Sequence, residues 1–199
     1  PGVDPSRFTP PLSPPPSPWI LLTVGRLVLR KGIDTVIQAL PSLLAEFPDL
    51  RYVIAGEGPD RRRLEELAKE LGVLARIEFL GYVPDDKLPE IYRSAHIFVM
   101  PSREEAEDGI EGFGIVYLEA SASGLPVVAG HSGGAVEAVR DGETGLLVPP
   151  DDPQALAKAI THLLLNPELR RRMGQVSRRW VEEEMNWDRA AQEVLDALQ

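Results

Sequence analysis

The stretch WILLTVGRLVLRKGIDTVIQALPSLLAEFPDLRYVIAGEGP, residues 19–59, decides the fold. It opens on a short run, Trp19 to Val24, apolar but for Thr23, as expected of a strand buried on both faces. Residues 32–46 then set Ile33, Val36, Ile37, Leu40, Leu43 and Leu44 at helical spacing. Tyr52 to Ala55 is a second short apolar run, stopped by Gly56-Glu57-Gly58-Pro59. Strand, helix and strand in this order form the unit of a parallel sheet.

The same alternation extends toward the C-terminus. Pro59 suits the first turn of a helix running to about Leu71 and ended by Gly72. Ile77–Leu80 reads as strand, 84–94 as helix, and His96–Met100 as strand closed by Pro101. Residues 113–123 read as helix up to Gly124, Pro126–Ala129 as strand, and Gly134–Val139 as a short helix. Leu146–Val148 makes a last strand before Pro149-Pro150, and helices follow at 153–165, 167–184 and 188–198. Six strands alternating with helices predict an α/β fold, a doubly wound parallel six-stranded sheet of Rossmann-like type. Toward the N-terminus, eight prolines in residues 1–18 forbid helix and interior strand. That segment is expected to be an extended, partly polyproline II linker, with one domain over 19–184 and a closing helix in 185–199.

Composition narrows the chemistry. The 199 residues contain no cysteine, which removes disulfides, thiolate metal sites and cysteine nucleophiles. No apolar run approaches the roughly 20 residues of a transmembrane helix, and no signal peptide pattern opens the sequence, so a cytoplasmic setting is expected. The net charge of −10 disfavours non-specific binding to nucleic acid or anionic lipid. It is unevenly spread, with 13 acids and 12 bases in residues 1–100 against 18 and 9 in residues 101–199. An anionic ligand must therefore be gripped by a few well-placed cations.

In an open α/β sheet, ligands bind beyond the carboxyl ends of the strands, so the loops there are the ones to read. The first, Gly25 to Gly32, lacks both the G-x-G-x-x-G fingerprint and the Walker pattern. It offers Arg26 directly after the strand and Lys31 at a helix start, where a cation opposes the helix dipole and needs compensation. A bound diphosphate would supply it; a solvated pair on a surface turn is the alternative. The loop after Met100 leads into Gly112-Phe113-Gly114-Ile115, where glycines and a helix N-terminus can approach an anion. Glu119, two turns into that helix, is either a solvated residue or an acceptor for ligand hydroxyls. Glu111 is either a dipole partner or part of the site. Glu104, Glu105, Glu107, Asp108 and Glu111 make an acidic run without EF-hand spacing. No metal site is expected from it, nor from His96, His131 and His162, which show no paired spacing.

Taken together in register, VGRLVLRKG, IAGEGP, FLGYV, EGFGIVYLEA, GLPVVAGHSGG and DGETGLLV resemble the C-terminal, donor-binding half of a GT-B fold glycosyltransferase of the retaining family 4, or group 1, type. The resemblance runs from Pro1-Gly2-Val3-Asp4 to Trp187. It implies that the donor is a nucleoside diphosphate sugar (GDP-, UDP- or ADP-linked), with no further cofactor. By position, Arg26 and Lys31 match the pair holding the diphosphate, Glu111 the glutamate facing the donor sugar, and Glu119 the one bonding the ribose. Phe113, Gly114 and Ile115 match the main-chain donors to sugar and phosphate. Leu80, Gly81 and Tyr82 match the base-reading segment, and Leu118 the residue packed near the nucleoside. Gly133 and Gly134 match a turn lining the same cleft, as do Gly25, Gly56 and Gly112.

Family members of this architecture carry a second, N-terminal domain that holds the acceptor, and the absence of an initiator Met fits a piece of a longer protein. The D-G-I-E-G form before Phe113 resembles mannosyltransferases acting on lipid-linked inositol acceptors, which leans the donor toward GDP-mannose. In full-length form, peripheral attachment to the inner membrane face stays open. A non-catalytic sugar-nucleotide-binding or interaction domain on the same fold is the rival reading. An epimerase or phosphorylase lacks its catalytic pairs here, and a nicotinamide-binding domain lacks its glycine fingerprint.

Overall fold

A computed structural model describes residues 2–13, 15, 17–106 and 109–197. Six strands, β1 (Ile20–Val24), β2 (Arg51–Ala55), β3 (Ile77–Gly81), β4 (Ile97–Met100), β5 (Val127–Gly130) and β6 (Gly145–Val148), form one sheet in the order 3-2-1-4-5-6. Every neighbouring pair is parallel. The helices are α1 (Ile33–Glu46), α2 (Arg61–Glu70), α3 (Leu88–Ser94), α4 (Ile115–Ala122), α5 (Ala135–Ala138), α6 (Pro153–Leu165), α7 (Pro167–Glu183) and α8 (Trp187–Ala197). The order reverses between β1 and β4, and that switch point is where an open sheet leaves a crevice.

Two apolar clusters sandwich the sheet, which explains why its strands are largely apolar. On one face Leu21, Tyr52, Ile54, Ile97 and Val99 meet α1, α2 and α6 through Val36, Leu40, Leu64 and Ile160. On the other, Leu22, Val53, Phe98, Met100 and Val127 meet Tyr92, Tyr117, Leu118 and Trp180. Each large side chain fully buried this way contributes about 1.5–3 kcal/mol. Thr23, the polar residue inside β1, is tolerated because its hydroxyl bonds Tyr52 Oη at 2.7 Å and the Val99 carbonyl.

Several boundaries move by a few residues, each for a local reason. The helix expected from Pro59 begins at Arg61, because Asp60 N–H is taken by the Leu27 carbonyl at 3.1 Å. The helix expected over 84–94 begins at Leu88, after a turn closed by Lys87 N–H on Pro84 O. The one expected from Phe113 begins at Ile115, because Gly114 caps it in the left-handed conformation, φ 78°. Helix α6 starts where Asp152 accepts from Gln154 and Ala155 N–H, both at 2.9 Å, with Pro153 in its first turn.

The N-terminal segment departs most from its expectation. Pro1, Pro14 and Pro16 lie outside the described residues; the rest form no helix or multi-residue strand, yet the segment is packed rather than merely extended. Val3 and Phe8 are buried, Val3 N–H bonds Met185 O at 3.0 Å, and Arg178 donates to the carbonyls of Pro5, Phe8 and Ala122. Proline count predicts the missing secondary structure but not these two apolar anchors. His96 is structural: its Nδ1 accepts from Ile20 N–H, leaving Nε2–H for Pro15 O, both at 3.1 Å. Burial lowers its pKa, in keeping with a neutral ring.

Candidate functional site

The ends of β1 and β2 meet tightly at the mouth of the crevice. Gly56 has φ 139°, and a Cβ there would stand 1.9 Å from Gly25 O, so no side chain fits between the strands. Gly25 N–H bonds Ala55 O and Gly56 N–H bonds Gly81 O, locking the three strand ends in line. Beside them lies a cavity of about 310 Å³ lined by Val24, Gly25, Arg26, Gly56, Tyr82, Val83 and Leu88, among others. A larger concavity, about 540 Å³, lies against His131, Asp141, Pro149 and Pro150, and no cation lines it. The smaller one has the charge and the glycines.

Arg26 and Glu57 line the smaller cavity, and Arg30 and Lys31 meet on Glu111 close by. Arg26 is exposed on the rim and makes no ion pair among the described residues. Lys31 is 7% exposed, with its stem passing over Gly25, where a Cβ would lie 3.5 Å from Lys31 Cε. Its ammonium is bonded to Glu111, itself 8% exposed, and Arg30 reaches the same carboxylate oxygen at 3.4 Å. The compensation that the sequence demanded at Lys31 is thus supplied within the chain by Glu111. Burial lowers the Lys31 pKa; Glu111 opposes that, and Arg30 and Arg26 reinforce it. With Arg26, Arg30 and Lys31 set against Glu57 and Glu111, one positive charge is left over for an incoming anion.

The main chain after Glu111 points the same way. The N–H groups of Gly112, Phe113, Gly114, Ile115 and Val116 donate to no acceptor among the described residues. Free donors in the loop before α4 and in its first turn are of the kind that can receive an anion. Gly134 N–H bonds Glu111 O at 2.9 Å, which seats the Gly133–Gly134 turn against this loop. Glu107 and Asp108 of the acidic run lie outside the described residues. Glu105 is paired with Arg103 at 2.6 Å, and among the described residues no three His, Asp or Glu side chains gather as a metal site.

The remaining candidates scatter around this centre. Tyr82 lines the cavity and is 70% exposed, Leu80 is half-buried behind it, and Ile115 is exposed. Phe113 is half-buried, whereas Leu118 lies fully in the core, with no surface of its own at the cavity. Glu119 accepts from Tyr92 Oη at 2.7 Å. Burial raises its pKa, offset in part by Tyr92 and by Arg7. Glu119→Gln keeps an acceptor for Tyr92 and removes a disfavoured charge, so it is expected to raise Tm by about 1–3 °C at pH 7. Because the folded-state value lies above the ordinary 4.5, the gain should vanish below about pH 4.5 and be full above the raised value. Thermal melts across that range check it. Arg30, Tyr92 and Arg103 were not singled out in the sequence; for Arg30, a base adjoining Lys31 was the only signal.

A parallel 3-2-1-4-5-6 sheet with helices on both faces is a Rossmann-like α/β domain. A family model for "Glycosyl transferases group 1" matches residues 7–180, and the chain belongs to that family. It is 40% identical to a GDP-mannose-dependent alpha-(1-6)-phosphatidylinositol monomannoside mannosyltransferase of Mycolicibacterium smegmatis, over 94% of this chain and 52% of the relative. Among solved structures, sucrose-phosphate synthase from Thermosynechococcus elongatus superposes with TM-score 0.83 at 34% identity, over 99% of this chain and 50% of that one. The C-terminal domain of the group 1 protein LpcC from Francisella tularensis superposes with TM-score 0.80 at 29% identity, over 94% of this chain and 100% of that domain. The chain spans about half the length of the curated relatives it matches, and its fold is that of a GT-B C-terminal domain. Among the described residues, no helix is long and apolar enough to cross a membrane.

Proposed function

We propose that the chain is the donor-binding domain of a retaining, metal-independent glycosyltransferase that uses a nucleoside diphosphate sugar, GDP-mannose by preference. The observation that carries this reading is that Arg26 lines the crevice beside Gly25 and Gly56, while Lys31, its stem over Gly25, and Arg30 meet on Glu111, directly before the free N–H groups that lead into α4. The GDP-mannose dependence of the M. smegmatis relative supports the choice of donor.

In the reaction, the bond from the anomeric carbon to the β-phosphate oxygen breaks, and its electron pair leaves with the nucleoside diphosphate. The acceptor hydroxyl bonds to the same face of the sugar and gives up its proton to the departing β-phosphate oxygen. Charge grows on the β-phosphate as the bond stretches, so Arg26, Lys31 and the α4 N–H groups bind the transition state more strongly than the ground state. Glu111, held by Lys31 and Arg30, serves as a fixed charge beside the donor sugar rather than as a nucleophile. Glu119 takes the ribose hydroxyls, and the Leu80–Tyr82 segment faces the base. The acceptor sits in an N-terminal domain of the longer protein, reached through residues 1–18. Helix α8, with Trp187 53% exposed, packs toward that domain. Membrane attachment, where present, belongs to that domain. The chain alone therefore binds donor and transfers little.

Calorimetry against GDP, UDP and ADP tests the reading. Binding of GDP, weakened severalfold by raising salt, is expected for a diphosphate held by exposed and buried cations. No heat with any of the three, in folded protein, sinks it.

A further inference from the structure

Among the described residues Tyr92 is the one side chain that hydrogen-bonds Glu119, and it uses only one oxygen of that carboxylate. Tyr92 is fully buried at the foot of α3, yet its hydroxyl reaches across to Glu119 Oε2 at 2.7 Å. The other oxygen, Oε1, receives no hydrogen bond among the described residues. The ring itself is pinned: Phe8 meets it edge-on at 5.6 Å and 85°, and Phe98 lies 5.9 Å away on the sheet. Burial, reinforced by the adjoining carboxylate, raises the phenol pKa far enough that it stays a donor.

We infer that Tyr92 is a positioning residue for nucleotide recognition: its hydroxyl fixes one oxygen of Glu119 so that the other is presented to the ribose hydroxyls. This deepens the proposed function and rests on its assignment of Glu119 to the ribose. A carboxylate free to rotate would lose orientation on binding, and that loss would fall on hydroxyl recognition alone. Phe8 extends the same support to the N-terminal segment, so the rigidity of the ribose contact depends on a residue far from the nucleotide.

The test compares GDP with 2′,3′-dideoxy-GDP, and both with inorganic pyrophosphate, by calorimetry on the chain as it is. The unsubstituted protein should prefer GDP over the dideoxy compound. Tyr92→Phe should cut that preference about 3- to 10-fold while leaving pyrophosphate affinity unchanged. Glu119→Asp, which draws the carboxylate back from Tyr92, should cut it similarly, and the double variant should lose no more than the larger single loss. If Tyr92→Phe keeps the full preference, or lowers pyrophosphate binding equally, Tyr92 is merely a core residue and the inference fails alone. If the unsubstituted protein binds GDP and its dideoxy analogue equally, or binds no GDP, the ribose role of Glu119 fails and takes this inference with it.

Discussion

Replacing Lys31 by methionine is expected to lower affinity for GDP by roughly 10- to 100-fold, since a hydrogen bond to a charged group is worth about 1.5–3 kcal/mol. Methionine fills nearly the same space over Gly25, so the loss measures charge rather than packing. The same change leaves Glu111 buried with Arg30 alone, at 3.4 Å. Removing one partner of a buried pair costs about 3–5 kcal/mol, and Arg30 should hold the cost near the lower end. The double variant Lys31→Met/Glu111→Gln should recover most of that stability and none of the affinity. Glu111→Gln alone should behave in the opposite sense toward bare diphosphate. It frees Lys31 from a competing carboxylate, so GDP affinity should rise a few-fold even as transfer by a full-length enzyme falls. Calorimetry and urea denaturation on the three variants separate these effects. If Glu111→Gln weakens GDP binding as much as Lys31→Met does, the two residues do not compete and the proposed arrangement is wrong.

The contrast between what the sequence disclosed and what it hid has a physical cause. The parallel sheet was legible because strands buried on both faces are mostly apolar, and each was followed by a helix pattern. Arg26, Lys31 and Glu111 could be placed in the loops after strands, and Glu119 on the helix that follows one, because the strand pattern was legible; their roles were only what the family resemblance implied. What each would touch was not legible. Arg30 meets Glu111 from 81 residues away, Tyr92 meets Glu119 from 27, and Arg103 meets Asp34 from 69. Pairings across such separations leave no local spacing to read. Lys31 illustrates the limit: the helix dipole announced a need for an anion, which a bound diphosphate or solvent could meet, and the partner that the structure supplies, Glu111, lies 80 residues away. In the N-terminal segment, prolines announced the absence of helix, while the burial of Val3 and Phe8 depended on surfaces of α4, α7 and α3 that only folding assembles.

The acidic loop raises the last expectation, because one arginine fastens it. Arg103 N–H bonds Arg30 O at 2.9 Å, and its guanidinium grips both oxygens of Asp34, at 2.9 and 3.0 Å, three residues beyond Lys31. It also pairs with Glu105 and Asp151, so the loop leading to Glu111 is tied to the starts of α1 and α6 through this side chain. Burial alone would push the Asp34 pKa up, but Arg103 and then Arg63 outweigh it and hold the carboxyl below its usual range. Arg103→Met is therefore expected to cost about 3 kcal/mol at pH 7, with Arg63 keeping the loss from being larger. The sign with pH follows from the depressed value. The ion pair contributes fully above about 3.8, the ordinary value, and is lost as pH falls through the lower folded one. The gap between the two proteins should accordingly close in acid, and Arg103→Met/Asp34→Asn should be more stable at pH 7 than Arg103→Met. GDP affinity should fall several-fold in Arg103→Met, less than in Lys31→Met, because the cations remain while the loop that orders them slackens. Urea denaturation at pH 7 and pH 3 decides the matter: an equal gap at both would mean that Arg103 acts through packing, and that the loop is held by something other than Asp34.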